Sequence, residues 1–245
     1  MNKLILWAAI SAALSSSLVH ATDLDAQQQQ KIEQVTELLE KNPEVIDPLY
    51  VSLSNYIAKA DEFDKVQKQS HDWLYNNPDL PFIGNPEGSA IVLNFTDYDC
   101  PYCKKLDPVL TELVKDFPQL KVVSVLLPLK QKVNLPNMET NATTYAMTVW
   151  NEAPDKFKQV NHYLFAKNTR HSQQSLTAIA KKTGTVEQLK ASQQARNVVD
   201  KNYQTFHNLG LRGTPAMMIN NTVIPGYLPY ERLKTRLSKE IEAAS

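Results

Sequence analysis

Between residues 24 and 41 the apolar positions Ile32, Val35, Leu38 and Leu39 recur at helical spacing among glutamines and charges, which predicts an amphipathic helix. The glutamines from Gln27 to Gln30 read as its solvated face. Asn42-Pro43 ends it, and a second helix is expected near Asp47-Pro48, with Asp47 as cap and Pro48 at the first helical position. Leu49, Leu53, Tyr56, Ile57 and Ala60 make one stripe along that second helix. Neither helix can bury its stripe alone, so each needs a partner surface.

The stretch "NNPDLPFIGNPEG", residues 76 to 88, holds three prolines, two glycines and three asparagines and reads as a boundary. Beyond it the grammar alternates between strand and helix. "AIVLNF" (Ala90 to Phe95) is a short apolar run without polar alternation, as expected for a strand buried on both faces. A helix follows from Pro101 to Phe117, with Leu106, Leu110, Leu113 and Val114 inward, and then a second buried strand, Lys121 to Leu129. Strand, helix, strand in that order predicts a βαβ unit with a parallel pair. Residues 138 to 209 are helical in composition, with three or four helices. "PAMMIN" and "TVIPG" predict a hairpin turning at Asn220-Asn221, and a final helix runs from Pro229 to about Ala243. The expected class is α/β, and six glycines in 245 residues point to a helix-rich version of it.

Composition narrows the setting. Basic and acidic residues balance at 26 each, which gives no electrostatic case for nucleic acid or an anionic membrane. At the start, Met1, Asn2 and Lys3 form a short basic region, Leu4 to Leu18 an apolar run diluted by serines, and Val19-His20-Ala21 a small-residue cleavage site. This reads as a secretory signal peptide, residues 1 to 21, cleaved after Ala21. The run is shorter than the ~20 apolar residues a span needs. The mature chain is therefore expected outside the cytoplasm, where disulfides persist. A helical segment, residues 22 to 80, would precede a domain from 81 to 245.

Export sharpens the reading of "DYDCPYCKK", which holds the only two cysteines, Cys100 and Cys103. A zinc site is not expected, because there is no second CxxC and His71, His162, His171 and His207 are scattered. A two-residue loop removes little chain entropy, which argues against a structural staple. A redox dithiol remains, with no resident metal and no cofactor expected. Cys100 ends a strand and begins a helix, where unpaired N–H groups and the helix dipole favour a thiolate. Pro101 fits the first helical position. Cys100 is thus expected to be the exposed, attacking cysteine, and Cys103, one turn on, the buried resolving one. Lys104 and Lys105 add positive charge nearby, while Asp97 and Asp99 would oppose the thiolate. Thr214-Pro215 directly precedes a strand, a place where a cis bond would turn the Thr214 backbone toward the cysteines and an incoming substrate strand.

A strand ending in C-P-Y-C, a helix, a strand, a helical insertion and T-P before a hairpin and final helix resembles the thioredoxin fold of DsbA-like proteins. The resemblance covers roughly Pro81 to Ser245. It implies that Pro215 is cis, that Cys100 is the nucleophile and that 138 to 209 is an inserted helical subdomain. Within that superfamily the chain looks most like ScsC-type exported thiol oxidoreductases, through Gly84-Asn85-Pro86, the Asp97-Tyr98-Asp99-Cys100-Pro101-Tyr102-Cys103 turn and the N-terminal helical extension. That extension often mediates oligomerisation in such proteins. By the resemblance Thr214, Pro215, Pro101 and Tyr102 contact substrate. Many relatives carry a buried glutamate six residues before the first cysteine, where this chain has Asn94, so another group such as Asp97, or water, must handle the resolving thiol's proton.

Three functions fit. A disulfide isomerase would join two or three copies through the N-terminal helices and act on misfolded exported proteins. A monomeric DsbA-like oxidase would donate its disulfide to newly exported chains. A copper-handling protein would use both thiolates as a soft-metal site. Either redox role needs a membrane redox partner, and Thr214, where oxidases of this type more often carry valine, favours the isomerase by resemblance. Tyr145, Met147 and Trp150 are expected in the core, and Met217 and Met218 as contacts for apolar substrate, one of the two pointing inward by alternation.

Overall fold

The computed structural model describes residues 24–130, 140–220 and 222–243. The expected signal peptide, Met138 at the start of the insertion and Asn221 of the hairpin lie outside the described residues. The described chain falls into two compact units divided between Ile57 and Ala58.

In the first unit, α1 (Ala26–Lys41) starts at a capping box: the Asp25 carboxylate accepts the Gln28 N–H at 2.7 Å and the Gln28 side chain accepts the Asp25 N–H at 2.9 Å. A 3₁₀ turn, Pro43–Val45, leads directly into α2 (Ile46–Tyr75). The expected cap at Asp47 is therefore displaced. Asp47 lies in the first turn and Pro48 is the third helical residue, still among the positions whose N–H has no intrahelical partner. No residue of α1 is buried. The stripe of α2 is open as well, from Leu49 at 43% exposure to Tyr56 at 73%.

The second unit begins inside α2, whose later residues Val66 and Leu74 are buried in its core. Five strands follow: β1 (Phe82–Gly84), β2 (Ala90–Thr96), β3 (Leu120–Leu126), β4 (Ala216–Ile219) and β5 (Thr222–Pro225). Their order across the sheet is β1-β3-β2-β4-β5. β2 and β3 are parallel, with Asn94 opposite Ser124, and the other pairs are antiparallel. Between β2 and β3 runs α3 (Pro101–Asp116), completing the expected βαβ unit. The insertion contains α4 (Ala142–Glu152), α5 (Pro154–Ala166), α6 (Gln173–Thr183) and α7 (Gln193–Asn208), with a 3₁₀ turn at Glu187–Leu189, and α8 (Tyr230–Ala243) closes the chain.

Strand alternation explains two cores. Val92, Val122, Met217 and Ile219 pack with Leu106, Leu110 and Leu113 of α3 and Leu233 and Leu237 of α8. Leu93, Phe95, Val123, Val125 and Met218 pack with the insertion helices and the end of α2. The expectation for Met217 and Met218 is corrected by this. Both are 0% exposed, because helices cover both sheet faces and alternation sends one methionine to each core. Tyr145 and Met147 are core residues, and Trp150 packs against that core.

β1 lies inside the segment read as a boundary. Only three residues long, it is too short to show a period, yet it caps the sheet edge beside β3. Its last residue, Gly84, has φ +90°, and a Cβ there would stand 2.3 Å from the Leu120 carbonyl oxygen, so only glycine fits.

Candidate active site

β2 delivers the chain to a tight turn, Asp97 to Asp99, and the turn delivers Cys100 to the N-cap of α3 in extended conformation (φ −86°, ψ 120°), with Pro101 next. The Cys100 N–H donates to the Asp97 carbonyl at 3.0 Å. Two buried carboxylates then tie the turn to its surroundings. Asp97, 3% exposed, accepts the Asp99 N–H on one oxygen and the Lys130 N–H on the other, each at 2.8 Å. Asp99 accepts the His171 N–H at 2.8 Å, across 72 residues of sequence. The Lys104 ammonium adds a third tie by donating to the carbonyls of Lys167 and, at 3.0 Å, Thr169. The cysteine turn is thereby joined to the segment after β3 and to the loop between α5 and α6.

Both cysteines are free thiols. Cys100 Sγ lies 3.1 Å from the Thr214 carbonyl oxygen, and the Thr214-Pro215 bond is cis, as the resemblance implies. Cys100, Cys103, Thr214 and Pro215 thus come together. Pro101 and Tyr102 lie on the outer face, Tyr102 being 57% exposed with the Lys105 ammonium 5.4 Å from its ring centroid. The expected exposure of Cys100 is corrected: it is only 4% exposed against 1% for Cys103, because the Thr214 segment lies against its sulfur.

The electrostatics separate the two sulfurs. The Cys100 thiol is lowered to about 5, first by the hydrogen bond from the Cys103 thiol, and then by the Cys103 N–H, the Thr214 side chain and the Tyr102 N–H, against the opposing effect of burial. Cys103 is pushed far up, first by burial and then by holding the proton it shares with Cys100, although the Thr96 side chain and the Asp97 N–H favour its thiolate. Hydrogen bonds, more than Lys104 or Lys105, thus settle the contest with Asp97 and Asp99. Asp97 itself rises to about 6, mainly through burial. Asn94 is 5% exposed on the face of β2 that meets α3, and its side-chain oxygen has no hydrogen-bond partner among the described residues.

Sequence reasoning missed Thr96, His171 and the Lys167 to Thr169 loop. Thr96 was findable, since it follows Asn94 by two on the same strand and so shares its face. His171 carries no local signal, because its contact is made by its backbone N–H.

A thiol that ionises readily, held against one that does not, is built to open and close disulfides, and the sheet and helices around it form a thioredoxin fold with a helical insertion. The model of the DsbA-like thioredoxin domain matches residues 91–238, and the chain belongs to that family and is a thiol–disulfide oxidoreductase. It is 25% identical over 194 residues to disulfide bond formation protein D of Bacillus subtilis, covering 71% of this chain and 84% of that one. Among solved structures, a linker-deletion mutant of Proteus mirabilis ScsC is 28% identical with a TM-score of 0.69, covering 91% of this chain and 99% of that chain. A periplasmic thioredoxin-like protein of Salmonella enterica serovar Typhimurium is 31% identical with a TM-score of 0.64, covering 70% and 95%. Members of the family act on cysteine-containing substrates and exchange electrons with redox partners. No helix among the described residues is long and apolar enough to cross a membrane.

Proposed function

We propose that the protein is an exported, periplasmic disulfide isomerase that works as a homo-oligomer on misfolded proteins. Cys100 attacks a substrate disulfide, and Cys103 resolves the mixed disulfide when rearrangement stalls. The Thr214 backbone, Pro215, Pro101 and Tyr102 receive the substrate strand around the reacting sulfur. A membrane redox partner returns the dithiol to its working state. The observation that carries this reading is the pairing of a readily ionised Cys100 with two helical stripes, on α1 and early α2, that none of the described residues of their own unit covers. Such stripes fit self-association, which would gather several Cys100 sites around one misfolded chain. The signal-peptide pattern and the periplasmic description of the Salmonella relative support the location.

A second reading, a monomeric oxidase, is favoured by one feature. Stabilising the Cys100 thiolate stabilises the reduced form and makes the disulfide more oxidising. The name of the Bacillus subtilis relative, disulfide bond formation protein D, points the same way.

Scrambled, fully oxidised ribonuclease separates them. The mature protein is expected to restore ribonuclease activity, and Cys100→Ser is expected to abolish that recovery. A form lacking residues 22–57, cut where the two units divide, should lose it while still reducing a small disulfide. No recovery by the mature protein, together with rapid oxidation of reduced ribonuclease, would establish the oxidase instead.

A further inference from the structure

The cysteine turn is bonded to three other stretches of chain, and each brings cations to the surface around it. Asp99, which precedes Cys100, accepts the His171 N–H at 2.8 Å, and Lys104, which follows Cys103, donates to the carbonyls of Lys167 and, at 3.0 Å, Thr169. The loop of residues 167–171, between α5 and α6, is thereby held against the CxxC turn, with Lys167 half-buried and Arg170 exposed. In a second stretch, the Lys130 N–H donates to the Asp97 carboxylate at 2.8 Å, and Lys130 is exposed. In a third, the Thr214 carbonyl lies 3.1 Å from Cys100 Sγ, and the exposed Arg212 precedes it by two residues. Lys105 stands on α3 itself, its ammonium 5.4 Å from the centroid of the exposed Tyr102 ring.

The charge of this surface is one-sided. Among the described residues of 97–105, 127–130, 167–171 and 209–215, the carboxylates are Asp97 and Asp99 alone. Both are buried, and both accept from backbone N–H groups. Around them stand Lys104, Lys105, Lys130, Lys167, Arg170 and Arg212, in a chain whose 26 basic and 26 acidic residues cancel overall. The excess is local to the reacting sulfur, so it acts on whatever approaches that sulfur.

Resting on the oxidoreductase reading above, we propose that this basic rim is a specificity device that favours substrate disulfides whose cysteines are flanked by aspartate or glutamate. Lys105, Arg170 and Arg212 meet the acidic side chains, while Asp99 and Lys104 are positioning residues that hold the 167–171 loop in place. The partner is an extended peptide. Cys100 is only 4% exposed beside the Thr214 carbonyl, an approach that a single strand can make and that a lipid surface or a nucleic-acid duplex cannot.

The step selected is the first exchange. The Cys100 thiolate bonds to one sulfur of the substrate disulfide, the S–S bond of the substrate breaks, and its other half leaves as a thiolate that takes a proton from water. One thiolate and one disulfide become another thiolate and another disulfide, so no further oxidant or reductant enters.

Two probes test the rim: the disulfide-linked homodimer of a capped pentapeptide with its cysteine between two aspartates, and the same peptide with two lysines in their place. Each is mixed with the reduced mature protein at neutral pH, samples are quenched with acid, and the initial rate of peptide-disulfide loss is read by mass spectrometry. The ratio of the aspartate rate to the lysine rate is compared between proteins, so the reactivity of Cys100 and of each peptide cancels. The triple variant Lys105→Glu, Arg170→Glu, Arg212→Glu should lower that ratio about tenfold or more at low salt. The difference should fade in about 1 M salt, where screening acts within ~3 Å. Lys239→Glu is the control: this exposed residue of α8 adjoins Glu240, whose carbonyl accepts from Asn220 at the far end of β4 from Pro215, and its ratio should match wild type.

A triple variant with the wild-type ratio overturns the inference, and so does one in which both peptides slow equally, since that marks a structural role. Co-sedimentation with phosphatidylglycerol vesicles that the triple variant loses, alongside an unmoved peptide ratio, would assign the rim to a membrane surface instead. A wild-type protein that exchanges with neither peptide overturns the proposed role of Cys100 itself, and this inference with it.

Discussion

At the level of single residues the site is a contest between burial and donors. Burial alone would raise both thiols, and only Cys100 escapes because the Cys103 thiol, two N–H groups and the Thr214 side chain point at it. Thr214→Val removes one of those donors while keeping the volume. A hydrogen bond to a charged group is worth about 1.5–3 kcal/mol, so the Cys100 titration should move up, read as thiolate absorbance at 240 nm. An unmoved titration would show that the threonine matters only through its backbone. Linkage carries a sign here. A thiol lowered from its ordinary value of 9.0 to about 5 stabilises the reduced fold fully above 9.0, and that contribution is lost as pH falls through about 5. The reduced protein should accordingly lose its stability advantage over Cys100→Ser across that interval, checked by thermal unfolding at a series of pH values.

At the level of elements, periodicity read the long pieces and failed on the short ones. α1, β2, α3, β3 and α8 announce themselves through spacing, caps and apolar runs, and the CxxC and T-P pairs singled out in the sequence lie together in the structure. β1 did not announce itself, because Phe82–Gly84 is a three-residue strand between prolines, held by its ladder to β3 and by the packing of Phe82 and Ile83 on the two cores. The start of α2 was misplaced for a related reason: a 3₁₀ turn fills the gap after Asn42, so no separate cap is needed at Asp47. Cross-element ties are equally silent in sequence. Asn202 on α7 is 0% exposed; it accepts from the Trp73 indole of α2 at 3.1 Å and donates to the Leu126 carbonyl of β3 at 3.3 Å. Asn202→Ala strands both partners and should cost about 1–3 kcal/mol, seen as a lower urea midpoint. Because Leu126 ends the strand next to the cysteine turn, exchange rates should be measured in the same samples. A destabilised protein with unchanged exchange would confine the role of Asn202 to the fold.

For the whole molecule the open question is what covers the N-terminal stripes. Seven side chains there, Ile32, Val35, Leu38, Leu49, Leu53, Tyr56 and Ile57, each expose at least 43% of their surface. Fully burying one large apolar side chain is worth about 1.5–3 kcal/mol, and a symmetric assembly repeats each gain in every copy. Replacing Leu53 and Ile57 by lysine therefore removes several kilocalories from any such interface and adds like charges across it. Both residues precede Ala58, and neither belongs to the core around the cysteine turn. Sedimentation equilibrium should find the mature protein as a dimer or trimer and the double variant as a monomer. The variant should reduce a small disulfide at the wild-type rate, since a single Cys100 and Cys103 pair is enough for that reaction, but should fail to rescue scrambled ribonuclease. A mature protein that sediments as a monomer would remove the basis for the isomerase and leave the oxidase, because one dithiol per molecule can donate a disulfide but gathers no second site around the same client.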